Sequence, residues 1–286
     1  MNFTFRYWWY IFSSIIRNSG RRIAINFAVA AVFALFPMVS PSYSLPEYVC
    51  LYMLIILIMF VIIALKALLM MSYKLKFYKI VNEKGYCMEA FNYYHQTYIQ
   101  GKPVNENDYI EFAELYQKFG DYDSAIKVLN SIKVPESKVS LRALYIFEYM
   151  TVAVTKGDTS LADDIWRLNQ NFINSVISDP KSGVFSNALH LVMIYADCIA
   201  GRYERAFRIC EDFLNSKHIK KYKSYKVNFL VLKIYLLKKL GMDSEINNAV
   251  IEFNNYVAND WKPLLEVTRT ELRNDVEKAI RGELPV

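Results

Sequence analysis

With 286 residues, 54% of them apolar, and a formal net charge of +6, the chain can bury a sizeable core and is basic enough to attract an acidic partner or surface. Its charge sits at one end: residues 1–79 hold 8 Lys and Arg and one acid, whereas the remainder holds 26 basic and 27 acidic side chains. That distribution excludes a nucleic-acid surface, because nucleic-acid-binding proteins carry their excess charge on the folded domain.

The opening residues interleave Tyr7, Trp8, Trp9 and Phe12 with Arg6 and Arg17. Aromatic rings flanked by arginine favour the lipid headgroup zone, which predicts an interfacial helix over residues 1–22. Two apolar stretches follow. Ile23 to Ser40 has 18 residues and no charge, and Glu47 to Met71 has 25, of which only Glu47 and Lys66 are charged. At a rise of 1.5 Å per residue they reach about 27 and about 37 Å, enough to cross a hydrocarbon core of about 30 Å. Pro41-Ser-Tyr-Ser-Leu-Pro46 joins them, so residues 23–71 read as a transmembrane hairpin with spans over 23–40 and 47–71. Pro37 is placed to kink the first span and Lys66 to snorkel from the second.

Arg6, Arg17, Arg21 and Arg22 precede the hairpin, Lys74, Lys76, Lys79 and Lys84 follow it, and the joining turn has no basic residue. The positive-inside rule then predicts a cell-membrane protein with two spans and both termini cytoplasmic. A cleaved signal peptide is the rival reading of the first span. Against it, no small-x-small cleavage site occurs around Val39 to Ser44.

Beyond residue 72 the chain reads as helix after helix with no alternating strand pattern, and glycine sets the period. Gly85, Gly120, Gly157 and Gly201 each stand five residues before an alanine: Ala90, Ala125, Ala162 and Ala206. Gly241 repeats the turn with Ile246 in the alanine's place. A Gly that ends one helix in a left-handed cap, and a small Ala where the next helix approaches closely, account for this spacing. Tyr122 and Tyr203, each two residues after the Gly, would fill the wedge between helices. At the far end, Asn259 and Asp260 offer an N-cap for a closing helix over residues 259–286, with Pro263 in its first turn and an apolar stripe of Leu265, Leu272, Val276 and Ile280.

The stretch from Asp108 to Ile132 places Tyr109, Phe112, Ala113 and Tyr116 before the turn at Gly120 and Tyr122, and Ala125 and Leu129 after it. It resembles the tetratricopeptide repeat, a helix-turn-helix unit of about 34 residues. The intervals between glycines, 35, 37, 44 and 40 residues, depart from a regular period, and only Pro135 stands near the family's closing proline. The resemblance implies an all-α chain in which the hairpin is followed by a divergent α-solenoid over residues 72–258. By its register the first repeat helix covers about Ser72 to Glu83, directly after the second span. It also implies a groove lined by the first helices of successive units, contacting its partner through Asn107, Glu114, Lys118, Thr151, Tyr195, Asn228, Tyr235, Lys238 and Lys239. Such grooves receive a peptide or helix of another protein. The lysine-rich segment from Lys217 to Lys239 would suit an acidic one.

Cys50, Cys87, Cys198 and Cys210 are scattered, with no CxxC and no His at ligand spacing, which speaks against disulfides and zinc. No Gly-rich phosphate loop, HExxH or GxSxG occurs. His95, His190 and His218 are isolated. His190 and Asp197, seven residues apart, read as a packing pair on one helix face, and Asp163-Asp164 as a solvated face. The expectation is a non-enzyme without cofactor or metal: a membrane-anchored scaffold or adaptor whose cytoplasmic repeats recruit a protein partner at the bilayer. The alternative is a membrane effector, in which the repeats sense a ligand and the hairpin forms homo-oligomers that perturb or gate the membrane. Spans whose only amide is Asn26 make a poor pore lining, which ranks this second.

Overall fold

A computed structural model describes residues 75–100, 106–135, 137–179, 183–216, 223–261 and 266–285, with single helical positions at 53, 54, 57, 58, 61 and 65. The expected interfacial helix and hairpin lie outside the described residues except at those six positions. Among the described residues no helix is long and apolar enough to cross a membrane. The chain divides into two units, Met1–Ile80 and Val81–Val286. In the first, residues 75–80 are helical, Phe77 and Ile80 are buried, and Phe77 meets Tyr78 edge-on with ring centroids 5.2 Å apart.

All regular structure described in the second unit is helical. The helix over residues 75–84 (α1) ends at Gly85. It is followed by α2 (Met88–Tyr94), which runs on as a π-helical turn over His95–Ile99. Next come α3 (Glu106–Lys118), α4 (Tyr122–Ser131), α5 (Val139–Lys156) and α6 (Thr159–Ser178). Then follow α7 (Val184–Ile199), α8 (Tyr203–Asn215), α9 (Lys223–Lys239), α10 (Asp243–Asn259) and α11 (Glu266–Arg281).

The glycine turns are one structure repeated. Gly120, Gly157, Gly201 and Gly241 all have φ between 70° and 83°, the left-handed region that glycine enters without a Cβ penalty. At the first, the Gly120 amide donates to Gln117 O at 2.9 Å and the Asp121 amide to Tyr116 O at 3.0 Å. The same pair of bonds recurs at Gly157 and Asp158, Gly201 and Arg202, and Gly241 and Met242. This is the Schellman cap, which satisfies carbonyls that a helix end otherwise leaves without donors. The residue after the Gly also starts the next helix: Asp121 Oδ1 accepts from the Ser124 amide at 3.1 Å, and Asp158 Oδ1 from the Leu161 amide at 3.0 Å. One residue therefore closes one helix and caps its successor, which holds the two close and antiparallel. Ala90, Ala125, Ala162 and Ala206 are fully buried where the helices meet, as the spacing predicts.

Packing follows a two-layer order. Each helix from α3 to α9 packs on its successor, and the odd-numbered helices also pack on one another, α3 on α5, α5 on α7, α7 on α9 and α9 on α11. Around α3, an aromatic cluster joins α2 to the array: Phe91 lies 5.2 Å from Phe112 and 4.7 Å from Tyr116. Towards the C-terminus α9 is enclosed by α7, α8, α10 and α11. This explains why Phe229 to Leu232 and Ile234 to Leu237 are all buried on a helix with no polar stripe. Phe213 of α8 stacks on Phe229 at 4.2 Å.

The closing helix differs from its expected form. Asn259 is the last residue of α10, and Asp260 and Trp261 both donate to Tyr256 O, so neither Asn259 nor Asp260 is an N-cap. The helix thus runs one residue past the expected boundary at 258, with Tyr256 buried in its last turn. Pro263 and Leu265 lie outside the described residues. Leu272, Val276 and Ala279 form the buried stripe of α11, whereas Ile280 is exposed. The stripe packs on α9, the first helix of the last pair, and the Lys118 ammonium of α3 lies 3.3 Å from Glu271. So α11 lies along the face formed by the first helices instead of closing the end of the array.

Candidate functional site

Between α11 and the odd-numbered helices is a cavity of about 390 Å3. Helical periodicity points one stripe of each helix into it. Glu114, Gln117 and Lys118 come from α3, Phe147, Glu148 and Thr151 from α5, and Tyr195 from α7. From α9 come Tyr225, Asn228, Val231 and Leu232, and from α11 Thr268, Glu271, Leu272 and Asp275. Trp261 and Pro285, at either side of α11, close it. No residue of α4, α6, α8 or α10 contributes.

The polar lining is dominated by carboxylates. Glu148 is 6% exposed, and its Oε1 finds no hydrogen-bond donor among the described residues. Burial pushes its carboxyl well above the usual range, Glu114 pushes it further, and Lys118 opposes both. Glu114 keeps exposed surface toward the cavity. Desolvation by the surrounding protein raises it as well, with Lys118 pulling it down and Glu111 and Glu271 pushing it up. Burial works against the Lys118 ammonium, but Glu271 and Glu114 outweigh it and hold it above the usual lysine range. Burial also raises Asp275, which Lys278 partly offsets through an ion pair of 3.2 Å. Tyr195 is buried and its hydroxyl is raised by burial first and by Asp275 second.

Five of the nine positions named from the repeat register, Glu114, Lys118, Thr151, Tyr195 and Asn228, meet in this cavity. The other four lie elsewhere. Asn107 borders a separate cleft of about 1020 Å3 with Glu106, Lys138 and Phe185. Tyr235 is buried and meets Tyr203 edge-on at 6.3 Å. Lys239 lies 5.5 Å from the Tyr235 ring centroid, and Lys238 pairs with Asp243 at 3.0 Å. The register did not find Glu148, Glu271 or Asp275. A signal for Glu148 was present: it is the one charged residue in the stretch from Ala143 to Thr155, between Arg142 and Lys156.

His190 and Asp197 are not a pair. His190 Nδ1 lies 2.7 Å from the Ser186 carbonyl, whereas the fully buried Asp197 takes Arg202 at 2.8 Å and Arg205 at 3.3 Å. Two of the cysteines, Cys198 and Cys210, are free and buried, and burial pushes the Cys198 thiol up to about 12. Among the described residues no group of three or more His, Cys, Asp or Glu is arranged to hold a metal ion.

Fold and site together define a helix-pair array with a carboxylate-rich cavity on the face of its first helices. No family model matches the chain, and neither does any curated protein or solved structure.

Proposed function

We propose that the chain is a membrane-anchored scaffold: tetratricopeptide-like helix pairs, held at a cell membrane by a two-span hairpin, present a groove to a segment of another protein. One observation carries this. Every odd-numbered helix from α3 to α11 lines a single cavity to which no even-numbered helix contributes, the arrangement by which stacked helix pairs form a shared binding face. The anchor is supported by the two uncharged stretches and their basic flanks. Met53, Leu54, Leu57, Ile58, Val61 and Leu65 agree with it, being helical, apolar and 46–62% exposed on one helix face. An exposed apolar stripe of that extent is suited to lipid or to another apolar surface. The carboxylates of the cavity favour a basic partner segment over the acidic one that Lys238 and Lys239 would suit.

The test is site-specific photo-crosslinking in intact membranes, with the crosslinker at Gln117 or Thr268 in the groove and at Lys127 or Glu204 on the outer helices. Capture of one partner from the groove positions alone is the expected result. Crosslinks to further copies of the chain from all four positions would overturn the scaffold and favour the second reading, a ligand-sensing membrane effector. That reading has one observation in its favour: α11 covers the groove and leaves room only for something small.

A further inference from the structure

We propose that the cavity under α11 binds an alkylammonium group, with its N–H donors directed to Glu148 and its methylene chain along Phe147, Val231 and Leu272. This rests on the cavity being a binding site, and not on membrane anchorage or on a protein partner. Glu148 is buried and lines the cavity, and its Oε1 lacks a donor among the described residues. A carboxylate oxygen in such a place requires a donor, and an ammonium brings three. Charge points the same way. Glu271 is paired with Lys118 and Asp275 with Lys278, whereas Glu114 and Glu148 make no ion pair among the described residues. The cavity thus holds two carboxyl groups without a basic partner among the described residues, and their ionisation on binding would match a diammonium ligand.

Size and wall chemistry narrow the class. A volume of about 390 Å3 falls among small-molecule sites, which run from about 300 to 1,000 Å3. A whole helix, about 10 Å across, has no room while α11 is in place. The described carboxylates are not grouped to hold a metal ion, which favours an organic cation. Its chain meets apolar walls, and the rings of Trp261 and Tyr225 line the same space, where an aromatic face attracts an ammonium.

Isothermal titration calorimetry on the full chain in detergent tests this with 1,4-diaminobutane, spermidine and an N-acetyl-lysine amide, against 1,4-butanediol and succinate. The amines bind and the diol and succinate do not. Affinity is higher at pH 8 than at pH 6, and protons are released, because Glu148 must ionise beside Glu114, Lys118, Glu271, Asp275 and Tyr195. Glu148→Gln weakens amine binding by at least about tenfold, Glu114→Gln weakens it less, and Glu204→Gln on the outer surface leaves it unchanged. Tighter binding of the diamines assigns the site to a free metabolite, and tighter binding of the lysine amide to a partner's side chain; each supports the inference. It is overturned if no amine binds the helical parent chain, if the diol binds as tightly as the diamine, or if neither carboxamide variant weakens binding. Partner capture at Gln117 without amine binding would leave the scaffold standing and this inference refuted. Amine binding without capture would do the reverse.

Discussion

Glu148 is the residue whose placement costs the fold most visibly. Burial holds its carboxyl well above the ordinary range, so the folded chain binds that proton more tightly than the unfolded chain does. Stability attributable to this group is therefore fully present below the unfolded pKa of about 4.3 and is lost as pH rises from there towards the folded value. Glu148→Gln should raise the stability of the amine-free protein at pH 8 by about 1–3 kcal/mol, because the carboxamide carries no charge for burial to desolvate. The gain should vanish at pH 4, where parent and variant are both neutral. Thermal unfolding followed by circular dichroism at the two pH values measures this, and equal gains at both would mean that no desolvated charge is being relieved. Sequence register chose Thr151, one helical turn away, because repeat positions encode where a partner is met. They carry no information on which charge the packing leaves without a donor.

The helix turns rest on backbone geometry that substitutions can isolate. A Cβ added at Gly120 or Gly157 would meet nothing within 4 Å, so Ala there costs only the left-handed backbone conformation, about 1–2 kcal/mol. Asn should cost less, since it tolerates that region better than Ala. Asp158→Ala should cost about 1 kcal/mol through loss of the bond to the Leu161 amide. Urea unfolding of these three kinds of variant checks the turn: Gly157→Asn as damaging as Gly157→Ala would place the cost in packing. These elements were readable in the chain because the Gly and the Ala five residues later act within a single turn. The π-helical turn over His95–Ile99 and the extension of α10 through Asn259 were not. In the second, the Asp260 and Trp261 amides close the helix on the Tyr256 carbonyl, and a polar pair that would cap a helix elsewhere ends one here.

Placement of α11 determines what the whole molecule can bind. Its stripe of Leu272, Val276 and Ala279 packs on α9, and its Glu271 pairs with Lys118 of α3 in the cavity lining. Truncation after Trp261 should therefore remove at least about 3 kcal/mol of apolar burial and open the cavity on one side. Hydrogen exchange should show faster amide exchange in α9, with α4 and α6 little changed. Unchanged protection in α9 would mean that α11 contributes little cover in solution.

By itself the sequence determined the all-α class, the positions of the glycine turns and the alanines that let paired helices approach. Each of these follows from rules acting over a few neighbouring residues, positive φ at glycine and the 3.6-residue period, whereas the five named positions that line the cavity came from the resemblance to the tetratricopeptide repeat. Only the tertiary structure decided that α11 lies along the groove and that Glu148 is buried there without a donor among the described residues. Those outcomes depend on surfaces brought together across the chain, as with Lys118 and Glu271, 153 residues apart. No local pattern encodes which of two apolar faces a terminal helix will cover, because that choice is made by the competing free energies of burial at the two faces.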